Sequence, residues 1–363
     1  MKQLMEGSRA IAEAGIVAGC KFFAGYPMTP FTEVLEHFAL RLPEVGGVCI
    51  NAESELEAVG MAWGAVATGR RAATGSTGQG LSLMQESFSE ITMASLPLVI
   101  FNIARGQYDY YQSTRGGGHG DYRQIVLAPM DVTEAVQHCQ LAFWLAEKWR
   151  SPVLFMGDYL LTHTYEAVDV QPVDFGVAPD KPWAVDGTTS GTTDCKLVSS
   201  LGFDKAIEGR GRIGPEAHWN ALADKWREIA RTEQRHDAGY TEDAEVVVVA
   251  FGTLGKFVRY VVKELRAEGY KVGYVRPITL WPFPEPAVAE AASGPNVRTV
   301  AVLENNAGQM IDDVRLSVLG RCPVIPIGGI STDGSGFGMG AMLDPIEVRT
   351  RILSAFEREG ALA

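Results

Sequence analysis

Glu53, Glu55 and Glu57 stand at alternate positions at the head of an apolar helical pattern, and the glycine-rich stretch GSTGQG, with Gly75, Gly78 and Gly80, follows close behind. Carboxylates grouped at a helix start complement its positive end, and that ordinary role accounts for at least two of the three. A remaining one is free for proton or hydrogen-bond chemistry. The glycines let backbone N–H groups approach an anion at the next helix, although tight turns use the same residues. Arg105 closes the apolar run LPLVIFNIAR, where a guanidinium can hold a carboxylate bidentately or simply sit on the surface. In QSTRGGGHGDYR, residues 112–123, Arg115, His119, Asp121 and Arg123 share a glycine frame that suits an active-site lid.

Other chemistries lack their residues. His37, His138, His163, His218 and His236 are scattered without metal-ligand spacing. No GxSxG elbow or HExxH appears, which leaves hydrolase readings unsupported. FGTLGKF, 251–257, lacks the first P-loop glycine and the hydroxyl residue after Lys256. The five cysteines, Cys20, Cys49, Cys139, Cys195 and Cys322, are odd in number and form no CxxC. This argues against a disulfide framework and against an iron-sulfur cluster held by this chain alone. If electrons move, another chain carries them.

The elements that must position these residues follow from hydrophobic patterning. AGCKFFAGYP, VGGVCIN, GRRAATGS, LPLVIFNIARG and SPVLFMGD read as strands, with helices near 8–18, 30–41, 54–68, 80–94 and 132–147. Such alternation with near-continuous apolar strands predicts a doubly wound parallel sheet over residues 1–170. In such sheets ligands lie outside the carboxyl ends of the strands, where GYPMTP, NAESE and GSTGQG all fall. Residues 171–243 weaken into Pro, Gly, Asp and Thr around one helix near 215–233, and read as a connecting region. Over 244–363, strands AEVVVVAFG, YKVGYVRP, RTVAVLEN and PVIPIGG alternate with helices near 255–268, 283–292, 307–319 and 345–358, a second, smaller α/β domain.

With 363 residues the chain is long enough for two cores, and its apolar content of 46% is that of a globular protein. A net charge of -12 argues against a nucleic-acid surface. No apolar run reaches the roughly 18 residues of a spanning helix, and Glu6, Arg9 and Glu13 interrupt any signal-peptide core, so a cytoplasmic protein without a membrane partner is expected.

Taken together, AGYPMTP, AESELEAVGMAWGA, TGQGLSLMQE and TRGGGHGDYR resemble the alpha subunit of the 2-oxo acid:ferredoxin oxidoreductases, the thiamine diphosphate enzymes related to pyruvate:ferredoxin oxidoreductase. VVVVAFGT, VRPITLWPFP and VLENNAGQM extend the match through the second segment, and the nearest branch is the one acting on branched-chain 2-oxo acids. The resemblance implies a pyrimidine-binding first domain and a second of transketolase C-terminal type. It assigns Glu55 to the pyrimidine N1′, where a carboxyl favours the imino tautomer that takes the thiazolium proton. It matches Thr29 and Arg105 to residues facing the 2-oxo acid, and Gly78 and Gln79 to the cofactor side; Arg115 and His119 join as a substrate loop.

No GDG diphosphate-magnesium motif occurs. The resemblance therefore implies half a site: thiamine diphosphate shared with a beta subunit, Mg2+ and iron-sulfur clusters on partner chains, and a gamma subunit and a ferredoxin-like subunit beside it. Coenzyme A enters as substrate and ferredoxin receives the electrons. Tyr108, Tyr110 and Tyr111 lie in a stretch shorter than in relatives, and suit an aromatic-tolerant pocket or an interface equally. Two alternatives remain: the pyrimidine-binding half of a transketolase-like or lipoamide-linked dehydrogenase, and a non-catalytic binding module of the same fold.

Overall fold

The computed structural model describes residues 2–185, 198, 200, 214–330 and 344–357; Cys195 lies outside them. Its strands are β1 (Gln3–Glu6), β2 (Phe22–Gly25), β3 (Val48–Asn51), β4 (Ala72–Ser76), β5 (Val99–Ala104), β6 (Ile125–Leu127), β7 (Val153–Asp158), β8 (Tyr165–Val168), β9 (His236–Gly239), β10 (Val246–Val249), β11 (Val272–Pro277), β12 (Thr279–Trp281), β13 (Thr299–Val302) and β14 (Val324–Pro326). The helices are α1 (Gly7–Val17), α2 (Thr32–Arg41), α3 (Glu55–Ala67), α4 (Gly78–Met93), α5 (Tyr110–Thr114), α6 (Val132–Trp149), α7 (Tyr159–His163), α8 (Pro215–Thr232), α9 (Gly252–Ala267), α10 (Glu285–Ala292), α11 (Met310–Val318) and α12 (Pro345–Glu357).

A seven-stranded sheet runs β12-β6-β7-β5-β4-β2-β3, parallel throughout except for the antiparallel β12 at its edge. Every residue of β4 and β5 is buried, as strands covered on both faces require. Phe23, Phe38, Phe101 and Phe155 form the aromatic centre of this core, with Phe23 stacked on Phe38 at 4.2 Å between ring centroids. A second sheet runs β14-β13-β10-β11-β9, in which only β9 is antiparallel. β1 and β8 pair separately.

The mixed α/β architecture with parallel sheets agrees with the patterning, which leaves out the short strands β1, β6 and β8 and the antiparallel edges β9 and β12. β9 and β12 are four and three residues long, too short to carry a period, and pair only with strands distant in sequence. β12 follows β11 after one residue yet joins the larger sheet, so the two sheets share a continuous stretch of chain.

Candidate functional site

Strand order reverses between β2 and β4: the chain passes from β2 outward to β3, then returns to the other side of β2 to lay down β4 and β5. A crevice opens at such a point beyond the carboxyl ends of the strands. Thr29 follows β2, Glu55 follows β3, Gly78 follows β4 and Arg105 follows β5. Four neighbouring strands therefore deliver these four residues to one edge of the sheet.

Glu55 is the first residue of α3 and is 3% exposed, whereas Glu53 and Glu57 are exposed. Ser54 caps the helix, its Oγ accepting from the Glu57 N–H at 3.3 Å, and Glu57 Oε2 accepts from the Glu53 N–H at 3.1 Å. Ser54 and the Glu57 carboxylate thus secure the helix start, Glu53 points to solvent and the middle acid turns inward. Ser76 Oγ donates to Glu55 Oε1 at 3.0 Å. Among the described residues no hydrogen bond reaches Oε2. Gly80 makes the close approach possible: a Cβ there would lie 2.1 Å from Ser76 Oγ and 2.4 Å from Glu55 Oε1.

Arg105 Nε donates to the Thr29 carbonyl at 3.2 Å, tying the loop after β5 to the loop after β2. Thr29 is exposed and its peptide to Pro30 is cis. Asp109, which the patterning did not single out, lies against the first turn of α4, where a Cβ on Gly78 would meet its Oδ1 at 2.4 Å. Asn102 Nδ2 donates to Asp109 Oδ2 at 3.4 Å. Burial pushes the Asp109 carboxyl up to about 6, against the opposing pull of Asn102 and Arg105. Nothing local in the sequence marks this acid as buried, because its surroundings come from β5 and α4.

Two buried polar atoms beside this cluster have no protein partner, Thr77 Oγ1 at the α4 N-cap and Asn102 Oδ1. An unbonded carboxylate oxygen on Glu55, buried polar atoms without partners and a glycine-lined helix start fit a polar cofactor ring with an anionic tail. Gly78 and Gln79 form the first turn that such a tail would meet.

The glycine loop holds its residues elsewhere. His119 Nε2 pairs with Glu90 Oε1 at 2.9 Å and its Nδ1 meets Ser89 Oγ at 3.2 Å. That is about 18 Å along α4 from Gly78 at 1.5 Å per residue. Gly117 and Gly118 donate their N–H groups to Tyr122 Oη, and a Cβ on Gly118 would lie 2.5 Å from the Gln85 carbonyl. The glycines serve close packing on α4. Arg115 donates to Asp313 Oδ1 at 2.8 Å. Tyr110 donates to Asp313 Oδ2 at 2.7 Å and Tyr111 to Asp312, so both tyrosine hydroxyls face α11. Neither Arg115 nor His119 touches Glu55, Thr29 or Arg105 among the described contacts.

Among the described residues no group of three or more His, Cys, Asp or Glu side chains is placed to hold a metal. Burial pushes the Cys20 thiol up to about 12 and that of Cys139 well up. No helix among the described residues is long and apolar enough to cross a membrane.

Residues 13–235 match the family described as "Pyruvate flavodoxin/ferredoxin oxidoreductase, thiamine diP-bdg", and residues 244–335 match "Pyruvate:ferredoxin oxidoreductase core domain II". The ketoisovalerate oxidoreductase subunit VorB of Methanothermobacter thermautotrophicus is 38% identical over 327 residues, covering 87% of this chain and 89% of that protein. The 2-oxoglutarate synthase subunit KorA of the same organism is 35% identical over 355 residues, covering 88% and 92%.

Among solved structures, the 2-oxoglutarate:ferredoxin oxidoreductase from Magnetococcus marinus, with 2-oxoglutarate, coenzyme A and succinyl-CoA bound, superposes with a TM-score of 0.83 at 25% identity. The match covers 97% of this chain and 65% of that one. A split-gene transketolase, at 16% identity and a TM-score of 0.60, shares the fold over 97% of the chain. With both segments matched in order, and with relatives alike over most of their length, the chain belongs to the pyruvate:ferredoxin oxidoreductase family, among the 2-oxo acid:ferredoxin oxidoreductase subunits.

Proposed function

We propose that this chain supplies the pyrimidine-facing half of a thiamine diphosphate site in a CoA-acylating 2-oxo acid:ferredoxin oxidoreductase. The observation that carries the reading is the delivery of Thr29, Glu55, Gly78 and Arg105 by four adjacent parallel strands to one edge of the sheet, with Glu55 buried and one of its oxygens unbonded. Thiamine diphosphate, when bound, supplies the nucleophilic carbon and the electron sink for decarboxylation. Glu55 would hold and exchange a proton with a ring nitrogen of that group, and Ser76 fixes the carboxylate's orientation. Arg105 pairs with the carboxylate of the 2-oxo acid, steadied by the Thr29 carbonyl, and the Thr29 hydroxyl adds a polar contact. The Gly78–Gln79 turn offers N–H groups to the anionic tail.

Mg2+, iron-sulfur clusters and most diphosphate contacts belong on partner chains: a beta subunit, a gamma subunit and a ferredoxin-like subunit that passes electrons to ferredoxin. The naming of the relatives as subunits supports this division. For the substrate we favour a branched-chain 2-oxo acid. A second carboxylate, as in 2-oxoglutarate, requires another cation, and Arg115 is already engaged by Asp313. The Tyr110 and Tyr111 hydroxyls bonded to α11 support the interface reading of these two tyrosines.

Coexpression with the partner subunits tests the assignment. The assembled complex is expected to reduce ferredoxin with 2-ketoisovalerate and coenzyme A, while the isolated chain neither does so nor binds the cofactor tightly. Tight binding and turnover by the chain alone would refute the divided site, and clear preference for 2-oxoglutarate would refute the substrate assignment.

A further inference from the structure

The smaller sheet has a crevice of its own. Its strand order reverses between β10 and β13, and the loops leaving these strands are Ala250–Phe251 and residues 303–309. In an open parallel sheet that point usually receives a ligand. Here it receives Gln107. The Gln107 amide, 3% exposed, donates to the Phe251 carbonyl at 3.0 Å and accepts from the Asn305 N–H at 3.0 Å, bridging the two loops. Asn306 Nδ2 donates back to the Gln107 carbonyl at 2.9 Å.

A second glutamine makes the reciprocal contact. Gln309 Nε2 donates to the Tyr108 carbonyl at 2.8 Å, while its Oε1 accepts from the Tyr111 N–H at 2.8 Å. The turn that presents Gln309 is itself fixed. Glu304 accepts from the N–H groups of Gln309, Met310 and Ile311, and Gly308, at φ +99°, donates to Asn306 Oδ1. Asn305, Asn306 and Gln309 of VLENNAGQM thus grip the chain at Gln107, Tyr108 and Tyr111.

We infer that Gln107 and Gln309 are positioning residues: by clamping the segment from Arg105 to Tyr111 into the switch point of the smaller sheet, they set the reach of Arg105 toward the 2-oxo acid. The smaller sheet thereby contributes to substrate binding without touching substrate. The inference rests on the proposed role of Arg105, and its test separates the two.

Gln309→Leu puts an apolar side chain one atom shorter in its place and removes both bonds. In the assembled complex it is expected to raise KM for 2-ketoisovalerate roughly tenfold, the scale of two lost hydrogen bonds, with kcat within about twofold. In an Arg105→Ala background it should add no further increase, because it acts through that arginine. Hydrogen exchange of amides 105–111 should quicken in Gln309→Leu. Gln309→Glu keeps the acceptor for Tyr111 but sets an oxygen against the Tyr108 carbonyl; it should show the same split if the leucine variant folds poorly.

An additive effect on KM, or unchanged exchange over 105–111, overturns the clamp. If Arg105→Ala leaves KM unchanged, the arginine assignment fails instead, and the exchange measurement alone decides whether the glutamines hold the segment.

Discussion

At the scale of single residues, the three acids before α3 divide their work by burial. Glu53 and Glu57 face solvent and the Glu57 carboxylate secures the helix start, whereas Glu55 is enclosed by Ser76 and Gly80. Glu55→Gln keeps the size and an acceptor for Ser76 but loses the exchangeable carboxyl. It should lower kcat of the assembled complex by at least about 10²-fold with an unchanged thermal midpoint, and Glu53→Gln should stay within about twofold. Loss of activity in both variants to the same degree would remove the distinction.

Asp109 carries a different prediction. Its carboxyl is raised from 3.8 to about 6, chiefly by burial, so between these values the folded chain holds a proton that the unfolded chain has released. Stability then falls as pH rises through that window, and the cost persists above it. Asp109→Asn removes the titration. Its melting temperature relative to the wild type should therefore rise between pH 4 and pH 6 and then level off, as thermal unfolding across pH 4–8 would reveal; a pH-independent difference would contradict the burial argument.

At the scale of elements, two glycines on or against α4 look alike in sequence and act differently. Gly80→Ala would press on Ser76 Oγ and Glu55 Oε1, so activity should fall more than stability. Gly118→Ala would press on the backbone carbonyl of Gln85, where nothing yields easily, so stability should fall by about 1–3 kcal/mol with little change in KM. Kinetics and denaturant unfolding of both variants check this, and matched losses in the two would reject it.

The same contrast explains what the sequence could disclose. The apolar strands leading to Thr29, Glu55, Gly78 and Arg105 announce themselves by composition, and so does the helix start at Ser54. Selection of Glu55 among its neighbours came from family resemblance, since spacing treats the three acids equally. Arg115 and His119 read as a mobile polar loop because their partners, Asp313 and Glu90, lie far along the chain. Asp109 stayed hidden for the same reason. A pattern read over a dozen residues reports periodicity, while burial of a charged side chain is decided by contacts of long sequence separation.

At the scale of the whole molecule, the larger and smaller sheets are joined by charge as well as by β12. Arg276, at the end of β11, is 2% exposed and meets Glu134 of α6 through both terminal nitrogens, at 3.0 and 2.7 Å. Glu134 Oε2 also accepts from the Met130 N–H at 3.0 Å, so the carboxylate is part of the helix start before it is part of the interface. Arg276 Nε has no hydrogen-bond partner, and Asp237 Oδ2 stands off at 3.7 Å. Glu134 therefore supplies both close hydrogen bonds to the guanidinium, with Asp237 as a second, longer ion-pair partner.

Removing one member of a buried pair strands the other charge, whereas replacing both by apolar side chains of similar volume removes the desolvation cost with the attraction. Glu134→Leu should thus destabilise the chain by about 3–5 kcal/mol. Arg276→Met added to it should recover most of that loss, with the lost helix-start contact at Met130 as the residue of the cost. Denaturant unfolding of the two single variants and the double variant completes the cycle. Additive losses would mean that Arg276 and Glu134 are held independently, and that the contact between the sheets rests on β12, the Gln107–Tyr111 segment and the pairs Arg115–Asp313, Thr253–Asp158 and Lys256–Glu166.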